Sequence, residues 1–167
     1  EREILMNLNE MMAGFRFFPS YIRVGGLRDD LPRGFKEAVA EFVERLPGKL
    51  DEYETMLTKN PIWLDRTRGV GTITLADCYQ YGLFGPVARA AGGDYDVRRA
   101  FPYSGYENYK FDVIGASNGD VYDRYITRVA EMRESIKIVR QALDRIEPVG
   151  EWQVADRKVA PPPKDEV

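Results

Sequence analysis

Arginine is the residue type in this sequence with the clearest capacity for chemistry, because seven arginines fall in predicted loops or at the ends of predicted elements. An arginine in a structured loop fixes a carbonyl or a carboxylate, or it meets an anionic group through its planar fork of N–H donors. The sequence leaves structural pairing and a cofactor role open for each of them. The seven are Arg16, Arg23, Arg28, Arg66, Arg68, Arg98 and Arg99.

The lack of histidine excludes several kinds of site within this chain. Histidine is the usual general base near neutral pH and the commonest metal ligand, and the sequence contains none. Its single cysteine, Cys78, cannot form an internal disulfide or hold an iron–sulfur cluster alone, and its place in a short predicted helix favours a buried small hydrophobe. Phosphate-binding glycine motifs are absent as well. We therefore expect no catalytic residue, no metal site and no cofactor held by this chain alone.

Composition and charge describe an ordinary globular protein. Hydrophobic residues make up 44% of the 167 residues and charged residues 31%, and the net charge of -3 does not favour nucleic acid as a partner. No apolar run approaches the roughly 20 residues of a transmembrane helix. Because Glu1 stands in place of an initiator methionine and the first residues already have helical periodicity, we expect a central piece of a longer chain.

The first half of the chain predicts helices separated by an extended segment. Apolar spacing predicts a helix that ends at Gly14, and the aromatic segment around Pro19 is an extended loop or edge strand. Asp29 or Asp30 is expected to cap a helix that starts near Pro32. We expect Pro47-Gly48 to divide the helical stretch that follows into two helices, antiparallel or bent, with Asn60-Pro61 ending the second.

The second half predicts one short helix, an irregular segment and one long helix. Thr74 and Asp77 form a capping box for a helix over residues 75–81. Residues 82–119 are rich in glycine, proline and tyrosine, and we expect irregular structure held against a partner surface by Tyr95, Tyr103, Tyr106 and Tyr109. Ser117 and Asp120 predict a second capping box, which opens a helix to about Ile146.

The long helix carries a heptad pattern that predicts a buried seam, with Arg128, Arg133 and Lys137 on the opposite side. A seam of this length needs a long partner helix, which this sequence does not predict, so part of it is expected to face a helix outside the chain. Pro148 should end the helix, which gives a helical core over residues 1–147 and a proline-rich extended tail over residues 148–167. The seam residues are Tyr122, Tyr125, Val129, Met132, Ile136, Val139, Leu143 and Ile146.

Several long strings in this order resemble the D subunit of bacterial NADH-quinone oxidoreductase, the hydrogenase-like subunit of respiratory complex I. They are SYIRVGGLRDDLPRGF, LDEYETMLTKNPIWLDRTRGVG, DYDVRRAFPYSGYENYKFDV and GDVYDRYITRVAEMRESIKIVRQAL, and the resemblance extends through Pro161 to Pro163. It implies a mainly α fold, a helical fragment of the nickel–iron-hydrogenase-large-subunit-like fold, with a long C-terminal helix and irregular connections rich in glycine, proline and tyrosine.

The resemblance also implies a function in a multisubunit oxidoreductase. In that family the subunit packs on a small subunit that carries a [4Fe-4S] cluster, and the two together form the quinone cavity. NADH is bound by another subunit of the peripheral arm, on the cytoplasmic side of the bacterial plasma membrane. The quinone-contacting histidine and tyrosine of the family lie before this segment. Alternatives are a homologous subunit of a membrane-bound hydrogenase-type or deazaflavin-dependent dehydrogenase complex, and a helical assembly module without a redox role.

The resemblance assigns site residues only in one stretch. Arg23, Gly25 and Gly26 match positions near the partner's cluster, where an arginine would favour the reduced cluster and glycines would permit a close approach of the backbone. A structural alternative for Arg23 is a salt bridge to Asp29 or Asp30. Phe18 stands where many family members have a histidine that couples proton uptake to cluster reduction, and Val24 stands where proline is frequent.

Overall fold

A computed structural model describes residues 1–146, 150–155 and 164, and these residues are mainly helical, as predicted. Two compact units are present, one formed by Glu1–Phe42 with the described residues from Arg145 onward and the other by Val43–Asp144. The elements in chain order are α1 (Arg2–Ala13), β1 (Ile22–Arg23), β2 (Gly26–Leu27), α2 (Phe35–Leu57), α3 (Pro61–Thr67), α4 (Leu75–Tyr81), α5 (Pro86–Ala90), α6 (Val97–Ala100), a 3₁₀ turn (Tyr106–Asn108) and α7 (Val121–Arg145).

Helix α1 ends where its sequence predicts. Gly14 adopts a left-handed conformation with φ 72°, and its N–H donates to the carbonyl of Glu10 at 2.7 Å. Arg28 Nη1 donates to the carbonyl of Ala13 at 3.0 Å, which satisfies another carbonyl that the helix end leaves open.

Helix α2 corrects the prediction of two helices, because it continues through Pro47 over 23 residues. The apolar stripe keeps one phase across the proline, with Val43 and Leu50 both buried on either side of it. Burial of this uninterrupted stripe offsets the roughly 3 kcal/mol that an internal proline costs. The predicted start near Pro32 is also wrong, since Gly34 has a φ of 79° that a helix cannot include, and α2 begins at Phe35.

The predicted helix over residues 75–81 is confirmed with both of its ends. Thr74 and Asp77 form the reciprocal capping box, and Gly82 adopts the left-handed conformation with φ 64°. Cys78 lies on this helix and is buried, as predicted for a small hydrophobe. Residues 82–119 are largely irregular, also as predicted, although α5 and α6 are short helices that the glycine-rich composition concealed.

Helix α7 forms over 25 residues, but the predicted Ser117 to Asp120 capping box does not form. Asp120 itself occupies the cap position, where its carboxylate accepts the N–H of Asp123 at 2.8 Å. The carboxylate of Asp123 in turn accepts the N–H groups of Ser117 at 3.2 Å and Asn118 at 2.7 Å. The start of α7 is therefore fixed by two aspartates rather than by a serine.

The heptad seam of α7 is confirmed at every seventh residue and wrong at Met132. Tyr122, Val129, Ile136 and Leu143 are buried, whereas Met132 is 39% exposed. Arg128 and Lys137 are exposed as expected, but Arg133 is half-buried and bonds to carboxylates of α2.

Long side chains connect α7 to the part of α2 that follows Phe42. Tyr122 Oη donates to the carbonyl of Thr58 at 3.1 Å, Arg133 binds Asp51 and Glu54, and Arg140 binds Glu44 at 3.0 Å. These bonds run in opposite sequence order along the two helices, so α2 and α7 are antiparallel. A long partner helix thus exists inside the chain because α2 is not interrupted at Pro47.

The predicted proline-rich tail lies mostly outside the described residues, which include neither Pro148 nor Pro161 to Pro163. Residues 150–155 are described, and within this stretch residues 152–154 pair with the strands of the first unit.

Candidate functional site

A short antiparallel hairpin brings Arg23, Gly25 and Gly26 together. In its register Ile22 pairs with Leu27 and Arg23 pairs with Gly26, which leaves Val24 and Gly25 as the turn. Gly25 has a φ of 90°. That region favours glycine at the second central position of a tight turn, so this residue type follows from the turn itself.

The base of the hairpin is fixed by Tyr21. Its side chain is 8% exposed, and its hydroxyl donates to the carbonyl of Asp29 at 2.9 Å. The N–H of Arg28 donates to the carbonyl of Tyr21 at 2.8 Å. Burial, with the negative charges of Asp30 and Asp29, raises the pKa of Tyr21, so the phenol stays protonated and keeps donating.

Residues 152–154 lie along the second strand of the hairpin. Leu27 donates its N–H to the carbonyl of Trp152 at 2.8 Å, and Val154 donates its N–H to the carbonyl of Gly25 at 2.9 Å. Gly26 forms an antiparallel bridge with Gln153. A methyl group at Gly26 would overlap the carbonyl oxygen of Trp152 and lie 2.9 Å from the Cα of Gln153. The chain's own backbone thus accounts for the glycine at position 26.

Arg23 is exposed beside the turn and carries no carboxylate partner among the described residues. Its Nε donates to the carbonyl of Ser20 at 3.3 Å. The expected salt bridge to Asp29 or Asp30 does not form, because Asp29 pairs with Arg28 at 3.1 Å. The guanidinium of Arg23 therefore remains available to an external negative group.

Phe18 is the most exposed large apolar side chain of this stretch, at 93%. Its backbone has a φ of 49°, which is unusual for a bulky residue and is tolerated better by asparagine, aspartate and histidine. Four other exposed apolar side chains lie between residues 15 and 24, and the five together are termed the exposed apolar segment: Phe15, Phe17, Phe18, Ile22 and Val24.

The tyrosines of the irregular segment pack mainly on one another. Tyr103 and Tyr109 each meet the ring of Tyr106 edge to face, at centroid distances of 5.1 and 6.3 Å. Arg98 and Arg99 lie over the ring of Phe111, at 4.7 and 4.2 Å from its centroid. These arginines thus serve internal packing.

A cavity of about 600 Å³ borders this cluster, and Phe84, Tyr95 and Tyr103 are among its walls. Its charged groups are paired. Arg89 is buried and bonds to Glu131, and Asp96 holds Arg98 at 2.6 Å. The hydrogen bond from Arg98 lowers the pKa of Asp96 against the opposing effect of burial.

Sequence reasoning missed a polar face on α7 that holds the irregular segment. Glu134 accepts the N–H of Asp112 at 2.9 Å, and Gln141 exchanges two hydrogen bonds with the backbone of Lys110, at 2.9 and 2.8 Å. Asp120 also accepts the N–H of Gly69 at 2.8 Å. A signal was present, because polar residues recur every seven positions beside the apolar seam, at Asp120, Thr127, Glu134 and Gln141.

Metal ligands and membrane spans were searched over the described residues only. In that part of the chain no three His, Cys, Asp or Glu side chains are grouped closely enough to hold a metal ion. None of the helices described combines the length and apolarity needed to cross a membrane.

Comparison with known proteins gives a match over the whole chain. Residues 1–167 match the family described as respiratory-chain NADH dehydrogenase, 49 Kd subunit. One relative is the second of the numbered D subunits of NADH-quinone oxidoreductase in Roseiflexus sp., which is 49% identical over 100% of this chain and 40% of its own length. Its counterpart in Chloroflexus aurantiacus is 50% identical over 100% of this chain and 41% of its own length. The D subunit of Thermus thermophilus is 46% identical over 98% and 40%. The chain thus spans about two fifths of the length of these curated relatives.

Proposed function

The chain belongs to the family of the 49 kDa subunit of respiratory-chain NADH dehydrogenase, and we propose that it helps to form the quinone-reduction site of an NADH-quinone oxidoreductase. The observation that carries the proposal is the family match over all 167 residues, with relatives named as subunits of that enzyme. In this proposal the helices form part of a nickel–iron-hydrogenase-large-subunit-like fold.

The [4Fe-4S] cluster next to this site belongs to the partner subunit in this proposal. A cluster of this kind needs four thiolates, or histidines in their place, and this chain has one cysteine, buried in α4, and no histidine. What the chain offers instead is the exposed guanidinium of Arg23, which no described carboxylate pairs, on a hairpin whose base is fixed by Tyr21. A positive charge placed near the cluster stabilises its reduced, more negative form.

The exposed apolar segment supports a subunit interface around Arg23. Five exposed apolar side chains between residues 15 and 24 are unusual on a free surface and typical of a surface that a partner covers. The partner proposed here is the iron–sulfur small subunit, and apolar contact would also exclude water from the space in which the quinone head group is reduced.

The remaining steps of the reaction lie outside this chain in this proposal. NADH is oxidised on another subunit of the peripheral arm, electrons reach the quinone through the partner's cluster, and proton translocation takes place in the membrane part of the complex. The subunit sits peripherally on the cytoplasmic side of the bacterial plasma membrane. None of the residues described here acts as nucleophile or acid–base catalyst, and the isolated chain should have no redox activity.

Replacing Arg23 by Met in the intact complex tests this proposal. Loss of the positive charge should lower the midpoint potential of the partner's cluster while the complex still assembles. Arg23→Lys is the matched control, because it keeps the charge and should keep most of the potential. Loss of assembly, with an unchanged potential in any residual complex, would assign Arg23 a structural role instead.

A further inference from the structure

We propose that residues 152–154 act as a third strand that positions Arg23 for the partner's cluster. Arg23 pairs with Gly26 in the hairpin, and Gly26 pairs with Gln153, so the three residues form one row across three backbone segments. Arg23 remains the residue that acts on the cluster, and Trp152 to Val154 are positioning residues. The inference rests on the proposed function of Arg23.

The hairpin alone is too small to hold an arginine in place. Each of its strands has two residues, and an isolated two-stranded hairpin is at best marginally stable in water. The bonds from Leu27 to Trp152 and from Val154 to Gly25 occupy the outer edge of β2 on both sides of Gly26. They fix the backbone directly behind Arg23, on the side away from the exposed face of the first strand.

The contact at Gly26 shows that this third segment is seated closely. The Cα of Gly26 faces the backbone of Trp152 and Gln153 with no room for a methyl group. Its φ of 138° also suits glycine alone. A side chain at position 26 would therefore push the third segment off the hairpin.

Val154→Pro in the intact complex removes the donor to Gly25 while changing little else, because the Val154 side chain is half exposed. We expect a lower cluster midpoint potential, in the same direction as Arg23→Met and smaller. Ala155→Pro is the matched control, since no described group accepts a bond from the N–H of Ala155, and its potential should equal that of the unmodified complex.

A double variant shows whether the third segment acts through Arg23. If it does, Arg23→Met with Val154→Pro should have the potential of Arg23→Met alone, because the displaced residue is no longer charged. Fully additive shifts in the double variant would overturn the inference.

Gly26→Ala tests the same contact from the hairpin side. Its matched control is Gly14→Ala, which also has a positive φ, 72°, but nothing within 4 Å of the added methyl group. Gly26→Ala should lower the potential and Gly14→Ala should leave it unchanged. If Val154→Pro and Gly26→Ala both prevent assembly while their controls assemble, residues 152–154 hold the fold and not Arg23, and the inference is wrong.

The outcomes separate this inference from the proposed function. A lower potential in Arg23→Met with no change in Val154→Pro and Gly26→Ala would overturn the inference alone. An unchanged potential in Arg23→Met would overturn the proposed function, and the inference with it.

Discussion

The hairpin stretch and the long-helix stretch distribute their side chains in opposite ways. Between residues 15 and 24 apolar side chains are exposed, Phe18 most of all, and the backbone of the hairpin is held by backbone bonds to residues 152–154. Along α7 polar side chains are buried, including Asp123, Thr127 and Glu134. There the helix side chains supply the partners for an irregular backbone.

The difference shows two solutions to one requirement, that backbone N–H and carbonyl groups removed from water must find partners. The hairpin satisfies its backbone with another backbone, which leaves its side chains free to face a partner subunit. Residues 110–118 form no strand and depend on Glu134, Gln141 and Asp123 instead. Burial thus marks internal support along α7, and exposure marks the proposed contact at the hairpin.

The largest effect should come from charging the apolar seam of α7. Ile136→Asp places a carboxylate at a position that is 5% exposed, and it should lower the free energy of unfolding by about 3–5 kcal/mol, since it leaves a cavity and an unpaired buried charge. Met132→Asp is the control in the same predicted seam, with an expected cost below about 1 kcal/mol. Denaturant unfolding of the chain measures both.

Equal costs for the two variants would contradict this account of the seam. A folded, normally assembling Ile136→Asp variant would show that residue 136 does not belong to the core.

The polar face of α7 should contribute less, but in a pH-dependent way. Glu134→Ala leaves the N–H of Asp112 without its acceptor and should cost about 1–3 kcal/mol at neutral pH. Glu44→Ala is the control, because it removes only an exposed ion pair with Arg140 and should cost at most about 1 kcal/mol.

Acid gives a second measure of Glu134. Burial alone would raise the pKa of Glu134, but the hydrogen bond from Lys137 and the N–H of Asp112 outweigh it and lower that pKa. The stabilisation is therefore complete above the unfolded pKa of about 4.3 and is lost as pH falls through the lower folded value. The difference between the unmodified chain and Glu134→Ala should shrink below about pH 4.5. A difference that stays constant to about pH 2 would contradict this role.

Sequence patterns predicted the elements whose signals are local and failed where distant residues decide. The capping box of Thr74 and Asp77 needs only four residues, and its helix forms as predicted. Pro47 fails as a helix breaker because the stripe through Val43 and Leu50 is buried by tertiary packing, which the proline itself does not reveal. A closer look at the phase of that stripe would have predicted one helix.

The candidate site was predictable in its residues but not in its supports. The family resemblance indicated Arg23, Gly25 and Gly26, and the structure places them in one hairpin. No sequence pattern connects Gly26 with Gln153, since a bridge across more than a hundred positions leaves no local signal. The same holds for Glu134 and Asp112, where an ordinary exposed-looking glutamate supports a backbone 22 residues away.

Replacing Phe18 should separate folding from assembly. Phe18→Asn removes a side chain that is almost fully exposed and introduces a residue that tolerates a φ of 49°, so the isolated chain should be unchanged or more stable by up to about 1 kcal/mol. The same variant should weaken association with the iron–sulfur subunit in the assembled complex. A clear loss of stability in the isolated chain would show that Phe18 supports the fold itself.

The smallest effect concerns proton coupling at the same position. Phenylalanine cannot titrate, the chain has no histidine, and its arginines stay charged, so the cluster potential of the unmodified complex should change little between about pH 6 and 8. In Phe18→His, reduction of the cluster would raise the pKa of the imidazole and take up a proton, which makes the potential fall with rising pH. The expected slope is a fraction of the roughly 59 mV per pH unit of a full one-proton, one-electron couple. Redox titration of the cluster at several pH values measures it, with Phe18→Asn as the control that fits the same backbone but does not titrate. A full one-proton slope in the unmodified complex, or identical slopes in the histidine and asparagine variants, would show that position 18 does not set proton coupling.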